Sequence, residues 1–285
     1  MSIAVLLGLS SGLCWGTADF LGGLQSRRLP TLAVVLWSQV AGGAALFAVL
    51  AALRETAPVE AIFWGVVSGL FGAIALVQFY HALAIGTMSI VAPITASGAL
   101  VPVVAALLLG EIPTPLAISG IATALVGGVF ASLPEKKCAS SPARADLVLG
   151  LSLGAALCFG LFYVFVDRGS AVVGASPLWV IGGTRLGSLV TLLFVGMVTR
   201  QSLPWPGAYA PAVGVVGVLD TLANVLFAYA SIWGNLGVVS VLGSLYPVAT
   251  VLLARAVLAE RLTWLQTIGV VLALAGVVLM AAGRA

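Results

Sequence analysis

Glu111 and Glu260 stand at the same place in two copies of one pattern. An apolar run of membrane length precedes each glutamate, and another follows it. The same offset sets Tyr80 on Tyr229, Gly65 on Gly214, Gly120 on Gly269 and Gly127 on Gly276. A slightly shorter offset aligns the beginnings of the halves, Cys14–Trp15–Gly16 with Cys158–Phe159–Gly160, so the second half carries a few extra residues. The segment Ser202–Pro206 has room for them. Duplication of this kind narrows the fold sharply. If each copy crosses a bilayer an odd number of times, the copies face opposite ways, and a site between them can be opened to either side in turn.

Composition places the copies in a membrane. The 285 residues are 61% hydrophobic and only 7% charged, with a mean hydropathy of +1.21. Soluble domains carry roughly 25% charged residues, so a water-soluble monomer is excluded. A span needs about 20 apolar residues. Runs of that kind occupy 3–22, 31–53, 60–80, 88–109, 114–133, 146–166, 177–199, 207–230, 236–257 and 263–282. The expectation is an all-α, polytopic membrane protein of about ten transmembrane helices in two inverted five-helix repeats, 1–133 and 146–285. The polar segment 134–145 is the linker. Pro30, Pro58, Pro115 and Pro177 stand at or beside the starts of runs, where a missing N–H is harmless. The first run lacks a basic leader and reads as a retained span, not a signal peptide. Thirty-four glycines suit close helix packing.

Several function classes drop out here. The net charge is +3 and the pI about 9.0, but basic pairs such as Arg27–Arg28 and Lys136–Lys137 lie between runs. There they serve topology and lipid headgroups rather than nucleic acid. Three cysteines without close spacing offer neither a disulfide framework nor a zinc site. No P-loop, Rossmann or H-E-x-x-H motif is present, so neither cofactor nor metal is expected.

The ordered set of motifs has a family look. It comprises Cys14–Trp15–Gly16 with its echo Cys158–Phe159–Gly160, and Gly110–Glu111 with Ala259–Glu260–Arg261–Leu262. Gly-rich closing segments at Gly120–Gly128 and Gly269–Gly276, and Tyr246–Pro247, complete it. The chain resembles the drug/metabolite transporter superfamily in its ten-span, EamA-type branch. That resemblance implies inverted repeats around a central cavity, lined by the first, third, fourth, sixth, eighth and ninth helices. It also implies a secondary active transporter, not an enzyme, moving a small organic metabolite or drug-like solute by alternating access. Protons or solute exchange are the candidate energy sources, and monomer and weak homodimer are both open. Two departures are visible. Gly98 stands where the family has a proline, and Gln39 lies where an arginine is common, so Arg185 fills that role in the second half alone.

A charge at mid-membrane costs about 2.5–3.5 kcal/mol or more, so it faces a cavity or a partner. Asp19, His81, Arg185, Asp220 and Arg255 are such groups. Asp220 and Asn224 share a helical face. Asp220 either binds a cationic solute group or a proton, or pairs with Arg185 as a structural bridge. Asp19 is either an interfacial carboxylate facing Arg27 or Arg28, or a site at the cavity mouth. His81 is either an interfacial hydrogen-bonding residue or a group that changes charge with pH. Gln39 and Gln78 complete the polar candidates. The resemblance places Trp15, Tyr80, Tyr163, Trp233 and Tyr246 near the cavity, whereas Trp64, Trp179, Trp205 and Trp264 suit an interface belt. Glu111 and Glu260 read as repeat-related helix caps at favourable N-termini.

Two rivals stand beside the carrier. One is an intramembrane hydrolase using Ser10 or Ser152, each inside a G-x-S-x-G match; a single histidine serves the chain, and the motif's strand–turn–helix elbow is missing from apolar helices. The other is a passive channel. Location in a cell membrane follows from the resemblance, with both termini cytoplasmic. The loop charges oppose that orientation, since Arg27, Arg28, Lys136, Lys137, Arg144, Arg200 and Arg261 would then lie outside.

Overall fold

An α-helix satisfies every backbone polar group within itself, the condition for crossing hydrocarbon. The described apolar segments meet it. The computed structural model describes residues 3–26, 28–53, 58–85, 91, 94–110, 113–131, 142–250, 253 and 263–283, and no strand occurs among them. The first repeat contains α1 (Ile3–Ser26), α2 (Thr31–Leu53), α3 (Val59–Ile85), α4 (Leu100–Leu108) and α5 (Pro115–Ala131). The second contains α6 (Pro142–Ser170), α7 (Pro177–Thr199), α8 (Ala210–Trp233), α9 (Leu236–Gly243) and α10 (Trp264–Ala282). A turn of 3-10 helix at Ser97–Ala99 leads into α4, and after α9 a turn at 244–245 is followed by helical residues 246–250.

Local chemistry explains the ends. Pro177 opens α7 after an extended Ser176, and the helix closes on Arg200 in the left-handed region (φ 52°). α6 begins at Pro142, a turn ahead of the apolar run. Hydroxyls inside the spans bond to carbonyls one turn back, as Thr17 does to Leu13 (2.8 Å) and Ser152 to Val148 (2.7 Å).

Among the described residues, six helices are long and apolar enough to cross a membrane, and they are the first three of each repeat. The described parts of the fourth and fifth are shorter in both repeats (Ile94–Leu108, Pro115–Phe130, Leu236–Thr250, Thr267–Gly276). Burial follows the same logic, with Arg185 and Gln39 at 1% and 2% exposure while Leu108 and Met197 are at 83% and 71%. These charged and amide side chains are kept inside among apolar neighbours, and the outward faces carry large apolar side chains, as lipid demands.

Packing crosses between repeats. α1 lies on α8 as α6 lies on α3; α2 lies on α8 as α7 lies on α3; α1 touches α9 as α6 touches α4. α2 meets its own duplicate α7, and α5 meets α10. A twofold exchange of the halves leaves this pattern, and five crossings per repeat make the halves antiparallel. Glycines permit the closest approaches. Gly65 and Gly69 of α3 lie against the Val180 and Thr184 carbonyls, while Gly183 and Gly187 of α7 lie against those of Ile62 and Val66. Gly127 and Gly276, duplicates of each other, cross between α5 and α10 against the Gly269 and Gly120 carbonyls. Thr114 Oγ1 donates to the Gly283 carbonyl (2.6 Å) and ties the ends of that pair.

Candidate functional site

Helix polarity alone would leave the bundle's centre apolar. Four polar side chains from three helices prevent that. Arg185 on α7 donates through Nη1 to Gln39 Oε1 of α2 and to Asp220 Oδ2 of α8, the latter at 2.7 Å. Gln39 Nε2 and Asn224 Nδ2 also donate to Asp220 Oδ2, at 3.2 and 3.4 Å. Trp15 Nε1 of α1 then donates to Asn224 Oδ1 at 3.1 Å. The chain of bonds joins α1, α2, α7 and α8. It offsets part of the desolvation of a buried charge pair, which is heavy in a low-dielectric interior.

The Arg185–Gln39 contact has a simple origin. Ser68 and Gly217 are duplicate positions. Thr184 shares a hydrogen bond with Ser68 (2.7 Å), and the Ser38 carbonyl lies against Gly217. Ser38–Gln39 on α2 therefore correspond to Thr184–Arg185 on α7. Gln39 and Arg185 are duplicates that meet on the pseudo-twofold axis. Asp220 and Asn224 lack polar counterparts, since their duplicates are Phe71 and Ala75. The site is thus built asymmetrically on a symmetric frame.

Beside this network lies a cavity of about 40 Å³, walled by α1, α2, α3, α6, α7, α8 and Tyr246. Water needs roughly 10–15 Å³ on the same measure, so the space suits a few waters and must widen for an organic solute. Its aromatic wall is continuous: Trp15 to Tyr163 at 5.5 Å, Phe162 to Tyr163 at 5.5 Å, and Trp15 to Phe162 at 6.3 Å between ring centroids. Asp19 lines the same cavity. Among the described residues its carboxylate accepts one hydrogen bond, from the Tyr80 hydroxyl of α3 at 3.3 Å.

Of the residues singled out from the sequence, Trp15, Asp19, Gln39, Tyr163, Arg185, Asp220, Asn224 and Tyr246 line the cavity. Tyr80 stands behind Asp19. Asp220 takes up the bridge with Arg185. Arg28 does not reach Asp19; it lies over the Tyr209 ring at 5.5 Å. Gln78 is partly buried beside Gly154, off the cavity wall. Trp233, the last residue of α8, is 54% exposed and lies 6.0 Å from Tyr229 with the two rings tilted by 40°. His81 is likewise on an exposed face of α3. Glu111, Glu260, Arg27 and Arg255 lie outside the described residues. Among the interface candidates, Trp205 and Trp264 are exposed, but Trp64 stacks on Phe165 (5.7 Å).

Sequence reasoning passed over Phe159, Phe162, Thr184 and Ser188, all on the wall. Phe159 is the duplicate of Trp15, and Thr184 and Ser188 flank Arg185 on its helix, so each had a signal. Ser10 and Ser152 lie within α1 and α6, and Ser152 is fully buried.

Comparison with known proteins comes to the same architecture. The model of the EamA-like transporter family matches twice, at residues 2–133 and 147–282. A solved structure titled "Crystal structure of protein" superposes with a TM-score of 0.79 at 20% identity, covering 99% of this chain and 97% of that one. At that identity the likeness concerns fold. No curated protein matches the sequence.

Proposed function

Since the chain belongs to the EamA-like transporter family and is a multi-pass membrane transporter, we propose that it is a secondary carrier for a small organic solute with a cationic group and an aromatic or apolar body. One observation carries this reading. Two carboxylates line the cavity, but Arg185 neutralises only Asp220, whereas Asp19 has no cationic partner among the described residues. A cation entering beside Asp19 shares the cavity with the rings of Trp15 and Tyr163, and a ring face turned toward it would add about 0.5–2 kcal/mol.

The cavity's small volume supports alternating access, because loading requires the helices to part. The glycine seams of α3 with α7 and of α2 with α8 join helices tightly. Contacts between the group α1, α2, α8 and the group α3, α6, α7 include Arg185 with Gln39 and Asp220, Asp19 with Tyr80, and the aromatic wall. Rocking one group against the other would open that seam on either side. A proton competing for Asp19 is the coupling ion this arrangement favours. The proposed setting is a cell membrane with repeats 1–133 and 146–285.

The test is uptake into proteoliposomes. Aromatic amines such as phenethylamine are expected to show saturation and counterflow, and Asp19→Asn is expected to abolish both while the protein still melts cooperatively. Flux without saturation or counterflow would establish a channel instead. Unchanged amine uptake in Asp19→Asn would refute the assignment.

A further inference from the structure

The Arg185 side chain is 1% exposed, yet it spends one nitrogen, Nη1, on both of its partners. Nε and Nη2, one whole edge of the guanidinium, are buried and have no hydrogen-bond partner among the described residues. The Tyr246 hydroxyl, from another part of the same cavity wall, is also buried and unpartnered. Buried donors without acceptors are rare, and charged ones are the most costly to leave unmade. Neutralisation is not what this edge lacks, since Asp220 supplies it. What it lacks is a pair of acceptor atoms.

We infer that the Nε/Nη2 edge of Arg185 is a carboxylate subsite of the transport cavity, used by a solute that carries a carboxylate in addition to the cationic group assigned to Asp19. The inference rests on the transport reading above. Arginine presents these two N–H groups in a planar fork that matches the two oxygens of a carboxylate and accommodates a carboxamide poorly. The edge is covered in the present, narrow cavity, and the widening that admits a solute uncovers it. Charge favours a solute bearing both groups. Arg185 and Asp220 cancel, so a carboxylate arriving alone would join Asp19 in a cavity with no free positive charge. The Tyr246 hydroxyl provides a further donor on the wall.

The experiment compares phenylglycine with phenylglycinamide on the reconstituted full chain, measuring each as a competitor of phenethylamine uptake. The two probes share the ring and the ammonium and differ in the carboxylate. The wild type is expected to bind phenylglycine about tenfold or more tightly than the amide, the effect of one charge-assisted pair. In Arg185→Lys, which retains the positive charge but loses the fork, the ratio is expected to fall to about one. Should that variant fail to fold, the wild-type ratio decides. A wild-type ratio near one, with phenethylamine still transported, would overturn the subsite and leave the carrier reading intact. A ratio maintained in Arg185→Lys would overturn it too. Failure of phenethylamine itself would remove both proposals.

Discussion

Asp220→Ala takes away the only counter-charge of Arg185 among the described residues. The guanidinium is 1% exposed and its partner 13%, so neither charge is well hydrated. Removing one member of such a pair strands the other and costs about 3–5 kcal/mol. Asp220 reaches the cavity, where water can partly replace it, so we expect the lower end, about 3 kcal/mol. Gln39 and Asn224 also lose the oxygen to which they donate. Removing both charges behaves differently. In Arg185→Met/Asp220→Ala no charge is stranded, and apolar replacements of buried pairs are often neutral. The double variant should recover about 2–3 kcal/mol relative to the single. Equilibrium denaturation in mixed micelles, arranged as a double-mutant cycle, measures this directly. If the single and double variants were equally destabilised, the stranded-charge reasoning would be wrong, and the network would owe its stability to packing.

Three further outcomes follow from particular contacts. Gly65 and Gly214 are duplicates, but a methyl at Gly65 would strike the Val180 carbonyl whereas nothing lies within 4 Å of one at Gly214; Gly65→Ala should destabilise by about 1–3 kcal/mol, and Gly214→Ala should stabilise by about 0.5–1 kcal/mol in the same denaturation assay. Tyr80→Phe removes the one donor to Asp19 among the described residues, so KM for a cationic solute should fall by up to about tenfold, and a rise would show that Tyr80 positions Asp19 rather than competing for it. His81→Gln and Trp233→Leu alter exposed residues, so uptake and its pH profile should match the parent.

Apolar run lengths and the repeated glutamate, glycine and tyrosine positions were enough to read ten helices, two copies and their opposed senses, because a bilayer demands helices of fixed length and duplication preserves order. Asp19 and Asp220 stood out for the same reason: a carboxylate in an apolar run is costly and must be housed. What remained open was which partner each would find. Spacing within α8 puts Asp220 and Asn224 on one face, but it says nothing of α2 and α7, whose duplicates Gln39 and Arg185 meet across the axis. Nor could it separate Gly65 from Gly214, or foresee the exposure of Trp233. Those outcomes depend on how helices distant in sequence are rotated and pressed together. A one-dimensional pattern sets what each helix can bury, and three-dimensional packing alone decides which neighbour it buries it against.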